Sequence, residues 1–111
     1  MGTCAIADAN WETCGFHYTL SLISGKYKMI ILYCLAGYEP VRFNELQRYI
    51  KKISDKTLSQ NLKELEADEL ITRTVYPQIP PRVEYGLTER GRSLMKVLDQ
   101  LCLWGEENRR P

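Results

Sequence analysis

Between Phe43 and Leu87 the pattern switches from a helical period to β-rich runs that alternate in period two, and that switch constrains the fold more than anything else in the chain. Apolar residues recur at Phe43, Leu46, Ile50 and Ile53, the i, i+3, i+7, i+10 stripe of an amphipathic helix. Ser54-Asp55 then predicts the start of a second helix, with Ser54 as its N-cap and Leu58, Leu62 and Leu65 as its buried face. After Leu70, the run Ile71-Thr72-Arg73-Thr74-Val75-Tyr76 is β-branched, aromatic and alternating, so it reads as a strand. Pro77 to Pro81 (Pro-Gln-Ile-Pro-Pro) cannot sustain a sheet ladder and forms a loop, and Arg82 to Leu87 returns as a second strand. Two short helices followed by a β-hairpin are the layout of a winged helix-turn-helix. The expected class is mainly α with a small β-hairpin wing (α+β).

The outer face of the second helix carries Lys56, Thr57, Ser59, Gln60 and Lys63, with almost no acid. Small residues allow close approach to a DNA major groove, while Gln and Lys reach base edges and phosphates. The competing reading is an ordinary solvated face. On the first reading Lys56, Thr57, Ser59 and Gln60 contact bases, Lys63 and Arg82 mainly contact phosphates, and Asn44 and Ser54 join the same surface. Arg82 would lie where the wing meets the backbone or a minor groove, its alternative being a strand-edge residue that keeps the hairpin soluble. Formal net charge is only +1, yet Arg42 to Lys63 holds six bases (Arg42, Arg48, Lys51, Lys52, Lys56, Lys63) against two acids (Glu45, Asp55). A local basic face on a near-neutral protein is the footprint of a specific binder of double-stranded DNA.

At 111 residues the chain is expected to be one domain, 1–111, large enough for a core without staples. Within it we distinguish an N-terminal arm (1–13), the helix-turn-helix (43–70), the wing (71–87) and a final helix (88–108). No run of about 18 apolar residues suggests a membrane span, and no basic segment with an apolar core suggests a secretory leader. The expectation is a cytoplasmic protein with its four cysteines mostly reduced.

The flanks read as scaffolding. A short helix is expected over Tyr18 to Ile23, and Lys26 to Ala36 is apolar nearly all round, so it is the central core helix, with Gly37 placed to end it in a left-handed conformation. Thr88 caps a final helix whose stripe (Leu94, Val97, Leu98, Leu101, Trp104) is broad for so small a domain. Its surplus apolar face predicts a homodimer through the N- and C-terminal helices, with Trp11, Leu94, Leu98, Leu101 and Trp104 at the interface. The alternative is that the helix folds back on its own core.

Several motifs match a known family in order. Ser24-Gly25-Lys26-Tyr27-Lys28-Met29-Ile30-Ile31-Leu32, Arg42-Phe43-Asn44-Glu45-Leu46, Leu62-Lys63-Glu64-Leu65-Glu66, Pro80-Pro81 and the run from Val83 to Gly91 resemble HxlR-type transcriptional regulators, relatives of the MarR group. The resemblance covers roughly residues 14 to 105 and implies a homodimeric winged-helix repressor or activator on a short inverted repeat. Three positions depart from the family pattern: Tyr27 stands where Trp is usual, Gly15 where Pro is common, and Glu69 where Gly usually follows the recognition helix. A positive φ at Glu69 would cost roughly 1 kcal/mol.

Cys14 matches an N-terminal cysteine through which some members of that family sense oxidants or electrophiles. Its place just before a helix, near His17, favours thiolate over thiol. The other reading is a small buried hydrophobe. Cys34, in the core helix, and Cys102, on the last stripe, read as packing residues. Cys14 and His17 form the one short-spaced ligand pair, too few for zinc, so no metal or other cofactor is expected. One histidine, no Gly-rich phosphate loop and no paired carboxylates also argue against an enzyme. Two alternatives stay open: a winged-helix protein-interaction module, and a regulator switched by a small ligand at the dimer interface, lined by Trp11, Tyr18, Tyr33 and Trp104.

Overall fold

A computed structural model of the chain describes residues 12–111. The expected interface residue Trp11, the tail cysteine Cys4 and most of the N-terminal arm lie outside the described residues. The elements run α1 (Gly15–Ile23), α2 (Lys28–Tyr38), β1 (Val41–Arg42), α3 (Phe43–Tyr49), α4 (Asp55–Ala67), β2 (Ile71–Tyr76), β3 (Arg82–Leu87) and α5 (Glu89–Asn108). The sheet is antiparallel, in the order β1-β3-β2. Its hairpin register runs from Ile71↔Leu87 to Tyr76↔Arg82.

The helices close on one core. Ile31, Leu32 and Leu35 of α2, Leu46 of α3, Leu58 and Leu65 of α4, Leu70, and Leu98 of α5 are completely or almost completely buried. Burying a leucine of this kind contributes about 1.5–3 kcal/mol. Ile50 and Ile53 share that core although α3 ends at Tyr49. The apolar stripe therefore continues through the turn and not along a longer helix.

Local chemistry sets the boundaries. Ser54 Oγ accepts from the Thr57 N–H at 3.1 Å to start α4, and Thr88 Oγ1 accepts from the Gly91 N–H at 2.9 Å to start α5. At the start of α3 the Arg42 N–H donates to Glu45 Oε1 at 2.9 Å, half of a capping box. The far end of α4 is a Schellman closure. Leu70 N–H donates to the Leu65 carbonyl at 3.0 Å and Glu69 N–H to the Glu66 carbonyl at 2.9 Å. Glu69 sits between them at φ 60, so of the two outcomes open at this position, a strained positive φ or a different helix end, the strained one is realised.

Several expectations are corrected. Gly37 does not end α2: the helix runs on to Tyr38, and Glu39 turns extended (φ −60, ψ 145) because Pro40 crowds the helical conformation of the residue before it. The left-handed glycine is Gly25, between α1 and α2. The central helix is not buried all round, since Ile30 and Tyr33 look outward. Leu98, expected at a dimer interface, is 0% exposed in the chain's own core, because α5 lays it against α2, where the Tyr33 hydroxyl also donates to the Leu98 carbonyl. α1 also begins earlier than expected, at Gly15, and β1 is a third strand, too short to carry a period of its own.

The start of α5 is bolted to the corner between α4 and the wing. Thr88 N–H donates to the Leu70 carbonyl at 3.1 Å, and Thr88 Oγ1 donates to the Glu69 carbonyl at 2.7 Å. A Cβ on Gly91 would lie 2.1 Å from the Leu70 carbonyl oxygen, so only glycine fits there. Glu39 ties the other flank: it accepts from Leu87 N–H at 3.1 Å and takes both terminal nitrogens of Arg92.

Candidate nucleic-acid interface

With Leu58, Leu62 and Leu65 in the core, the opposite side of α4 is free. Lys56, Gln60 and Lys63 are exposed there, and Ser59 is half-buried beside them. Ser54 and Thr57 are less available than their position suggests. The Ser54 hydroxyl donates to Thr57 Oγ1 at 3.0 Å while capping the helix, so both hydroxyls serve the N-terminal turn. Asn44 is exposed on α3 and lines a shallow open cleft with Arg42, Glu45, Gln47 and Arg48. The Gln47 amide donates to Asp55 Oδ1, fixing α3 against the first turn of α4.

The wing differs from the simple expectation. Arg82 does not stand free at the hairpin: its guanidinium lies 4.4 Å over the Tyr76 ring, and its buried Nε is 3.5 Å from Glu84 without a hydrogen bond. Tyr76 is its register partner across the strands, which is why the cation folds inward. The tip beyond it is apolar, with Ile79 fully exposed between prolines. A basic residue absent from the expected set, Arg73 of β2, is exposed and shares a cleft with Phe43, Ser59, Lys63, Glu66 and Tyr85. Its place follows from the Arg73↔Tyr85 register, which turns it toward α4. Alternation along β2 shows which residues share a face, and strand pairing then shows which way that face looks.

Behind α4, Lys28 is a buried charged residue whose ammonium lies 2.7 Å from Glu64 Oε1. Glu64 Oε2 accepts from Gln60 Nε2 at 2.6 Å. The bond from Lys28, and then that from Gln60, holds the Glu64 carboxyl below the usual carboxylate range. Lys28 is off the exposed stripe from which contact residues are read, whereas Glu64 is partly exposed one turn beyond Gln60 on the same face.

The terminal helices leave apolar surface uncovered. Phe16, Tyr18 and Leu20 of α1 and Val97, Leu103, Leu101 (54% exposed) and Trp104 (68% exposed) of α5 face outward, while Leu94 is half-buried against the core. Tyr18 is held by Arg90, which donates to its hydroxyl and to the Asp68 carbonyl. Cys14 is 7% exposed at the N-cap of α1 and is disulfide-bonded, whereas Cys34 and Cys102 are free thiols. Cys34 is half-buried, and that burial raises its thiol pKa. Cys102 is exposed and does not pack in the core, contrary to expectation, because the α5 stripe outruns the domain beneath it. No group of three or more potential metal ligands occurs among the described residues, and no single helix there is long and apolar enough to cross a membrane.

Comparison with known proteins agrees with this geometry. Residues 22–111 match the model of the HxlR-like helix-turn-helix family. An HTH-type transcriptional regulator of Halalkalibacterium halodurans is 54% identical over 99 residues, covering 89% of this chain and 88% of that protein. The redox regulator HypR in its oxidised form superposes with a TM-score of 0.81 at 44% identity, covering 88% of this chain and 100% of that one. The reduced transcriptional regulator YodB of Bacillus subtilis gives a TM-score of 0.76 at 34% identity, over 89% of this chain and 97% of the other.

Proposed function

The chain belongs to the HxlR-like helix-turn-helix family of transcriptional regulators, and from that premise we propose that it is a cytoplasmic homodimer that reads a short inverted repeat with α4. One observation carries the reading. The unburied side of α4 carries hydrogen-bonding side chains and two exposed lysines, Lys56 and Lys63, beside the acids Asp55, Glu64 and Glu66, and Arg73 adds a further cation at its edge. Gln60 and Ser59 suit base edges, whereas Lys56, Lys63 and Arg73 suit phosphates. The exposed apolar residues of α1 and α5 pair with a second copy, so that two copies of α4 meet grooves about 34 Å apart.

Titration of the purified protein against duplex from upstream of its own gene, at two salt concentrations, tests this. Tight, sequence-preferring and salt-sensitive binding is expected, and Lys63→Ala should reduce the salt slope by about one. Equal affinity for random duplex would transfer the weight to a protein-interaction module. Trp104→Glu should shift the protein toward monomer in sedimentation; an unaltered dimer would move the interface elsewhere.

A thiol switch at Cys14 is a second reading, favoured by its disulfide at the foot of α1 and by the likeness to two proteins, one a redox regulator. The partner in that case is a small oxidant or electrophile. With the proteins first reduced, Cys14→Ser should bind DNA as the reduced wild type does and should not respond to diamide. A variant that responds as the wild type does would remove Cys14 from the mechanism.

A further inference from the structure

The contact chain from Lys28 through Glu64 to Gln60 has a consequence for which base is read. Lys28 is buried, and a buried ammonium is tolerated only when it is paired. Its bond to Oε1 therefore holds Glu64 in one orientation, with Oε2 left for Gln60. A carboxylate offers only acceptors, so Gln60 must turn its NH2 group toward Glu64. A flipped amide would set two acceptors against each other. One N–H of Gln60 is then committed, and what remains for a ligand is Oε1 and the second N–H.

That remainder discriminates among bases. Guanine shows two acceptors in the major groove and wants two donors; cytosine offers only a donor, and thymine an acceptor beside a methyl group. Adenine alone offers a donor and an acceptor, N6 and N7, to match an acceptor and a donor on one amide. Gln60 is exposed and lies across the helix from Leu58, Leu62 and Leu65, where a groove would meet it. We propose that Lys28 and Glu64 are positioning residues that lock the Gln60 amide as an adenine reader. This rests on the DNA-reading role of α4 proposed above.

The test is selection of bound duplexes from a random-sequence pool, followed by competition binding with single-base changes. Wild-type protein should select adenine at one position of each half-site, and Gln60→Ala should lose that preference. Glu64→Ala, a change at a partly exposed residue, should free the amide and lower the adenine preference at that position by about tenfold, leaving other positions and the salt slope alone. Lys28→Met should do the same, and Lys28→Arg should restore the preference, a rescue that a merely structural role would not confine to one base pair. Full adenine preference in Glu64→Ala, or guanine in place of adenine at the position that Gln60→Ala relaxes, overturns the positioning role while leaving DNA reading intact. A wild-type protein that selects no sequence overturns the DNA-reading role itself, and this inference with it.

Discussion

Replacing Glu69 by glycine should stabilise the protein, although glycine is ordinarily a loss. Glu69 is at φ 60, in the closing turn of α4. Holding a residue with a Cβ in that conformation costs about 1–2 kcal/mol. Glycine removes the strain but gives the unfolded chain more freedom, which offsets about 0.5–1 kcal/mol. The backbone bonds at the turn survive, because Glu69 N–H to Glu66 and the Glu69 carbonyl to Thr88 use no side-chain atom of Glu69. The carboxylate also attracts Arg90, but both groups face solvent, where such attraction is weak. The net expectation for Glu69→Gly is about 0.5–1 kcal/mol of added stability, or a rise in Tm of roughly 2–5 °C. Urea unfolding with an unchanged m-value, alongside a thermal melt, measures it. A variant at or below wild-type stability would refute the reasoning, since it would mean that the left-handed turn carries no strain. Glu69→Val, adding a branch at Cβ, should move stability in the opposite direction.

Gly91→Ala should be severe, about 3 kcal/mol or more in urea, because its Cβ would overlap the Leu70 carbonyl 2.1 Å away and the backbone there has little room to retreat. In thiol labelling at neutral pH, Cys102 should react faster than Cys34, whose burial raises its pKa and lowers its thiolate fraction; equal rates would contradict this. The Glu64 carboxyl has a lowered pKa when folded, so its contribution is present above the ordinary value of 4.5 and is lost as pH falls through the folded one. The stability gap between wild type and Glu64→Ala should therefore narrow on acidification, and a gap independent of pH would deny the ion pair with Lys28.

Much of the fold is legible where one element carries its own signal. The N-caps Ser54 and Thr88, the buried face of α4 and the bounds of β2 and β3 can all be read from residue type and period. What escapes depends on partners distant in sequence. β1 has two residues and exists only because β3 offers an edge at Val41↔Tyr85. Leu98 belongs to the same stripe as Leu101 and Trp104, and only the packing of α2 decides that it turns inward. Arg82 looks like a free wing cation until the register places Tyr76 beneath it. The same limit hides Lys28 and Arg73, whose relevance to α4 comes from tertiary neighbours.

The joint at Leu70, Thr88 and Gly91 gives the molecule the mechanics of a lever. α5 has 20 residues, about 30 Å of stiff rod, and its first turn is fastened to the turn that closes α4. In the proposed dimer, tilting the whole rod by about 10° about the joint would displace its far end by roughly 5 Å. If the distal half is clasped by the second copy, the reading head is what travels. A change of a few degrees among apolar side chains near Trp104 is then enough to put the two copies of α4 out of step with successive turns of the double helix.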